Sequence, residues 1–334
     1  MSLYLITGIS GFIGSSIARA LLALGEEVRG VDNFSTGKQE NIADIADRID
    51  FHESDITDLD ALHRACKGVD FVLHQAAIPS VPKSVLDPLG SNCANVDGTV
   101  NVLVAARDAK VKRVVYAASS SAYGDTPTLP KHEGMKPDPI SPYAVAKLAS
   151  EHYMVSFYRC YGLETVCLRY FNIFGPRQDP SSPYSGVLAK FITQMLDGEQ
   201  PTIFGDGEQS RDFTYIDNAV EANLLGCKAD ASKAAGQVFN VATGRRVTLN
   251  ETFKALQPLT GYSGQPKYGP ARGGDVKHSL ADISMAEAGL GYRPKVDFEE
   301  GLRRTVEWYR ENREWWEPIK SGGGFAAYRE RQYG

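Results

Sequence analysis

The first half of the chain alternates short apolar segments with helical ones. Leu3–Thr7, Val28–Val31, Ile49–Phe51, Phe71–Gln75, Val114–Ala117 and Thr165–Arg169 read as strands. Between most of them lie stretches with helical spacing: Phe12–Leu24, Asp58–Ala65 and Ala94–Ala109. A short strand that is apolar throughout has both faces covered, and the intervening helices supply that cover. The pattern predicts an α/β fold built on a Rossmann-type doubly wound parallel sheet. After Arg169 the rhythm changes. Asp179–Tyr184 reads as a loop, Val187–Leu196 as a helix, Thr202–Phe204 as a short strand and Gly205–Gly207 as a turn. Helices are expected at Ile216–Cys227, Leu249–Leu259 and Phe298–Arg313. This half predicts a smaller α/β lobe. The expected division is a sheet domain over 1–169 with a return segment at about 213–243, a second lobe over 170–212 and 244–316, and a tail over 317–334.

The 334 residues suffice for one large unit or two intimate lobes. Net charge is -5 and no basic cluster stands out, so no nucleic-acid partner is expected. No apolar run approaches the roughly 20 residues of a membrane helix, and the start lacks the basic region of a secretory signal. The five cysteines form no Cys-x-x-Cys pair, and the six histidines show no metal spacing. Reduced thiols in a cytoplasm, and no metal, are the expectation.

The first strand runs into Gly8-Ile-Ser-Gly11-Phe-Ile-Gly14, and a helix begins at once. Glycines at this spacing let the backbone approach a pyrophosphate that rests on free N–H groups at a helix start. Phe12 and Ile13 belong to the same turn. Asp32 follows the second strand, about 20 residues on, where a carboxylate accepts hydrogen bonds from an adenosine ribose. It repels a 2′-phosphate, so the expected cofactor is NAD. Asp55 and Ile56 follow the third strand and are placed to flank the adenine. Ala76 and Ala77 follow the fourth, where small residues let a dinucleotide lie against the backbone. Asn95 is expected to brace nearby loops.

Ser141 and Pro142 precede Tyr143-Ala-Val-Ala-Lys147. Serine is a favoured helix N-cap and proline a favoured first residue, so Tyr143 falls in a first turn with Lys147 one turn on, on the same face. An ammonium beside a phenol favours the phenolate, which predicts a lowered Tyr143 pKa and a base suited to an alcohol proton.

Taken in order, these elements resemble the extended short-chain dehydrogenase/reductases, and within them the nucleotide-sugar 4-epimerases, especially the UDP-N-acetylglucosamine 4-epimerases. The markers are the glycine turn, Asp32-Asn33, His74-Gln-Ala-Ala77, Asn95-Val-Asp-Gly-Thr99 and Ser119-Ser-Ser-Ala-Tyr-Gly124. Ser141–Lys147, Arg169-Tyr-Phe-Asn172, Gln209–Phe213 and Arg272-Gly-Gly-Asp275 follow. The resemblance implies C4 epimerisation of a UDP-sugar, with Tyr143 as base, Lys147 on the nicotinamide ribose and Ser119 on the 4′ oxygen. Ser120 and Ser121 are rivals for that last role. It implies that Asn33, Gln75, Asn95 and Tyr170 join the cofactor site. Ser80, Ser120, Asn172, Gln178, Val187, Arg211, Arg272 and Asp275 are implied as substrate contacts. Ser279 matches a wall position where tyrosine limits the site to plain hexoses and small residues admit N-acetylated ones. Related dehydratases carry an Asp-Glu pair where this chain has Ser120-Ser121, which disfavours dehydration. A UDP-glucuronate 4-epimerase or decarboxylase is the alternative. A homodimer through Ala94–Ala109 and Pro142–Tyr161 is also implied.

Overall fold

Along the inner strands, successive residues enter opposite cores. Tyr4 and Ile6 of β1 (Leu3–Thr7), Leu73 of β4 (Phe71–His74), Val115 of β5 (Arg113–Ser119) and Leu168 of β6 (Glu164–Tyr170) join one apolar cluster. Leu5, Val72, Val114, Tyr116 and Cys167, their neighbours in the chain, join the other. The period of two and the lack of a wet face explain why these segments are continuously apolar.

The computed structural model describes residues 1–181, 186–271 and 277–321. Seven strands form the sheet, in the order Gln237–Val241, β6, β5, β4, β1, β2 (Glu27–Asp32) and β3 (Asp50–Glu53), and every pair is parallel. The edge strand Gln237–Val241 lies in the expected return segment, although no strand is read there from the sequence. Helix α1 (Phe12–Ala23) contributes to the first cluster, and α2 (Leu59–Ala65) to the second. Two short helices, α3 (Val81–Leu86) and α4 (Pro88–Asn92), escape a periodicity reading because neither completes two turns. The chain continues from α4 through a π-wound turn, Cys93–Asp97, into α5 (Gly98–Asp108), so the helix expected from Ala94 begins earlier.

Helix α6 (Pro142–Tyr161) starts where the sequence indicates. Ser141 Oγ accepts from Ala144 N at 3.2 Å, and Pro142 opens the helix. Helices α7 (Val187–Leu196) and α8 (Ile216–Lys228) follow β6. The final helix, Arg313–Ser321, carries the ordered fold past the expected tail boundary at 317. Trp316 is fully buried there, and its Nε1 donates to Tyr309 O at 2.7 Å.

Strand order diverges between β1 and β4: from β1 the chain builds outward through β2 and β3, and from β4 through β5 and β6. Ligands of open α/β sheets bind at the carboxyl edge beside such a divergence. Gly8, Gln75, Ser120 and Phe171, the residues that follow β1, β4, β5 and β6, all border one cavity of about 1590 Å³.

Candidate active site

The cavity's first wall is the glycine turn. Gly8 has φ +70° and donates its N–H to Val31 O at 2.8 Å. A Cβ on Gly8 would stand 2.7 Å from the Ala76 backbone, and one on Gly14 would stand 2.2 Å from Gly8 O. The two glycines therefore allow the close approach of β1 to β4 and of α1 to its own turn. No side chain caps α1, while Gly11, Phe12 and Ile13 border the cavity. Its free N–H groups and dipole suit a pyrophosphate.

Asp32 ends β2 and borders the same cavity. Its carboxylate accepts from Ser10 N at 2.8 Å and Phe34 N at 2.9 Å. Burial pushes its pKa up, and the bonds from the backbone oppose that shift. Ribose hydroxyls would add donors to this carboxylate. Asn33 Nδ2 donates to Asp55 Oδ2 at 2.5 Å, which joins the ends of β2 and β3, and Ile56 lies alongside in the wall. This cradle fits an NAD molecule.

Ala76 and Ala77 border the cavity beyond β4. Gln75 and Tyr170 are tied into a ring with Asn223 of α8. Asn223 Nδ2 donates to the Tyr170 hydroxyl at 2.6 Å, that hydroxyl to Gln75 Oε1 at 3.2 Å, and Gln75 Nε2 to Asn223 Oδ1 at 3.0 Å. Asn95 braces a loop as expected but does not join the cofactor site. It is 1% exposed and lies outside the cavity lining, with its Oδ1 accepting from Ile78 N at 2.9 Å. It braces the loop after β4 and has no surface for a cofactor.

The Tyr143–Lys147 face of α6 borders the cavity opposite β5. Lys147 is 4% exposed. Its Nζ donates to Ala117 O at 2.8 Å and stands 4.7 Å from the Tyr116 ring centroid. Burial lowers its pKa from 10.5 to about 7. The phenol of Tyr143 departs from expectation, because burial raises its pKa and only the nearby Ser119 hydroxyl opposes the rise. The lysine does not oppose the rise: its amine is itself desolvated and bound to β5. Ser119 Oγ also accepts from Ser121 Oγ at 2.8 Å and from Ser121 N at 3.2 Å. All three serines border the cavity with Tyr143, and Ser119 is the one whose hydroxyl opposes the rise of the phenol's pKa.

The remaining wall brings together Ser80, Asn172, Gln178, Val187, Arg211 and Ser279. Asn172, at φ +38°, reaches Ser279 Oγ with its Nδ2 at 3.4 Å. Gln178 is 5% exposed; its Nε2 donates to Ile173 O at 3.0 Å, and its Oε1 has no partner. A buried carbonyl without a donor fits a wall that awaits a polar ligand. Arg211 Nη1 donates to Ser210 O at 3.0 Å and Lys277 O at 3.2 Å. Ser80 Oγ caps α3 through Lys83 N at 3.2 Å. Arg272 and Asp275 lie outside the described residues.

Three positioning residues escape the sequence reading. Ser84 Oγ accepts from Tyr143 N at 3.0 Å and so pins the first turn of α6 to α3. The sequence carries no signal for its role, since Tyr143 lies 59 residues away. Asn223 has none, since its partners lie 148 and 53 residues away. His74 is fully buried and bridges Thr7 Oγ1 at 2.7 Å and Thr99 Oγ1 at 2.9 Å. Burial pushes its pKa down to about 3, so it stays neutral. Among the described residues no group of His, Cys, Asp and Glu is arranged to hold a metal, and no helix is long and apolar enough to cross a membrane.

Residues 4–242 match the model of the NAD dependent epimerase/dehydratase family. The chain is similar to the UDP-N-acetylglucosamine 4-epimerase from Methanobrevibacter ruminantium M1, solved with UDP-N-acetylmuramic acid. Identity is 42%, the TM-score is 0.88, and coverage is 93% of this chain and 98% of that one. The UDP-glucose 4-epimerase of Thermotoga maritima, solved with UDP-glucose, aligns at 41% identity and TM-score 0.88, over 92% and 99% of the two chains. The UDP-glucose 4-epimerase of Mycolicibacterium smegmatis is 38% identical over 310 residues, which is 92% of this chain and 98% of that one. Since the family match runs through every strand of the parallel sheet, cradle and Tyr–Lys helix included, this chain belongs to the NAD-dependent epimerase/dehydratase family and its cofactor is NAD.

Proposed function

We propose that the protein inverts C4 of UDP-N-acetylhexosamines, interconverting UDP-GlcNAc and UDP-GalNAc, with UDP-glucose and UDP-galactose as further substrates. The observation that carries the reading is one cavity bordered by the NAD cradle, by Tyr143, Lys147 and Ser119, and by the small side chain of Ser279 against Asn172. A phenol at position 279 would fill space that an acetamide needs, because packed walls tolerate little extra volume. Ser120 and Ser121 stand where dehydration calls for an acid and a base, and neither can be one.

NAD, when bound, supplies the acceptor and donor of the C4 hydride. Tyr143 takes the 4′-hydroxyl proton as C4 is oxidised and returns it after the ketone has turned over in the cavity. Ser119 holds the 4′ oxygen through both steps. Lys147 orients the nicotinamide ribose, and Gly11, Phe12 and Ile13 hold the pyrophosphate. Asn172, Gln178, Val187 and Arg211 hold the substrate, within a lobe spanning 170–212 and 244–316. Arg272 and Asp275 are assigned to the same task by resemblance.

We also propose a homodimer, with cytoplasmic action. Leu89 of α4 is 82% exposed, and Val85, Leu86, Val145, Tyr153 and Tyr161 extend an apolar surface over α3 and α6. The five thiols are free, which suits a reducing compartment.

The deciding experiment incubates pure protein, without added cofactor, with UDP-GlcNAc, UDP-glucose and UDP-glucuronate separately, followed by sugar analysis. C4 inversion of UDP-GlcNAc is expected. Inversion of UDP-glucuronate alone would favour the alternative substrate, and no inversion of any sugar would remove the epimerase reading.

A further inference from the structure

One imidazole in the cavity wall has no role in the reaction above. His278 borders the cavity beside Ser279, and a parallel bridge joins it to Ser210 of the strand Ser210–Arg211. Its Nδ1 pairs with Ser210 Oγ at 2.9 Å, which fixes the ring plane. Its Nε2 has no hydrogen-bond partner among the described residues.

The charges around this ring are lopsided. Arg246 from the loop before Val247–Thr248, its neighbour Lys277 and Arg211 from the paired strand act on it as positive charges, and Asp206 is the acidic residue among the described ones that acts against them. A wall this positive, with a ring held by one nitrogen and open at the other, suits a multiply charged anion. The diphosphate is the only part of a UDP-sugar that carries more than one charge. We infer that His278 binds the diphosphate of the nucleotide-sugar substrate through Nε2 and takes up a proton as it does so. The inference rests on the UDP-sugar reading given above.

Burial, with the nearby cations Arg246, Lys277 and Arg211, holds the imidazole below its ordinary pKa, so the ring is neutral near pH 7 before substrate arrives. An anion against Nε2 reverses the sign of the local field and favours the imidazolium. The proton comes from solvent, and it is released when product leaves. Substrate affinity should therefore rise as pH falls toward 6, with the chemical step unaffected. The sugar-nucleotide diphosphate is a diester with no titration of its own near neutrality, so the uptake reports on the protein.

The test is calorimetric titration of the NAD-loaded enzyme with UDP-GlcNAc and, separately, UDP-glucose at pH 6.5, in two buffers of different ionisation enthalpy. Wild-type protein should take up a large fraction of one proton per site. His278→Gln keeps a partner for Ser210 and should take up none. Its KM should rise roughly tenfold, with kcat within about twofold of wild type. Binding without proton uptake by the wild type, or uptake retained by the variant, would overturn the role and leave the substrate reading intact. Failure of both sugars to bind would overturn both. Binding and uptake without C4 inversion would uphold His278 and remove only the reaction.

Discussion

Lys147→Met should make the cofactor-free protein more stable at neutral pH. Burial lowers the Lys147 pKa from 10.5 to about 7, so at pH 7 the fold gives up about 4 kcal/mol of the ionisation free energy that the unfolded chain enjoys. Methionine has similar length, no charge and enough flexibility to fill the same channel. The substitution forfeits the bond to Ala117 O and the contact over Tyr116, together about 1–1.5 kcal/mol. The net gain is about 3 kcal/mol. For a chain of this length, an unfolding entropy of about 2 cal/mol/K per residue turns that into a rise of roughly 4 °C in Tm. The pH dependence has a definite sign. The folded pKa lies below the unfolded one, so between pH 7 and 10.5 the unfolded chain binds more protons and wild-type stability climbs with pH. The variant's advantage should shrink across that window and reverse near pH 10. Thermal unfolding of cofactor-stripped wild type and variant at pH 7, 8.5 and 10 measures this. A variant less stable at pH 7, or a difference that does not change with pH, would refute the claim that Lys147 is held against its ionisation.

Tyr143→Phe should lose at least about a thousandfold in kcat while retaining NAD, read from sugar analysis and from cofactor carried through purification; substantial residual turnover would remove Tyr143 as the base. Ser279→Tyr should lose the N-acetylated sugars and keep the plain ones, and equal retention of both would show that position 279 is no gate. Arg169 and Glu151 form a two-bond ion pair, at 2.9 and 2.7 Å, with both side chains under 5% exposed. Arg169→Met strands a buried carboxylate and should cost about 3–5 kcal/mol in urea denaturation, and adding Glu151→Leu should recover most of it; a loss below about 1 kcal/mol for the single change would contradict this. Leu89→Lys should shift the mass in solution toward the monomer, and a monomeric wild type would reject the dimer outright.

Much of the fold was legible because its determinants are local in the chain. The inner parallel strands are mostly apolar because both faces are covered. Ser141 and Pro142 start α6 by chemistry confined to four residues. The glycine turn is set by approaches of 2.7 and 2.2 Å that any side chain would violate. What stayed hidden depends on partners that only the fold brings together. Asn223 is an ordinary helical asparagine until Gln75 and Tyr170 meet it, and Ser84 is an ordinary serine of the short helix α3 until it receives the Tyr143 N–H. The strand Gln237–Val241 is too mixed to stand out, with Gln237 and Asn240 among its apolar residues, until β6 pairs with it.

The Tyr143–Lys147 spacing shows how a correct placement can mislead about charge. It puts both side chains on one face of α6, as expected, but spacing carries no information about water. Both groups prove to be desolvated, and desolvation favours the neutral form of each: the amine is driven down to about 7 and the phenol upward. Proton transfer from phenol to amine, nearly balanced between the free side chains, is therefore uphill in the cofactor-free cavity. If Tyr143 is the base proposed above, a positive charge brought beside it favours the phenolate, which would tie C4 oxidation to cofactor occupancy as well as to the lysine.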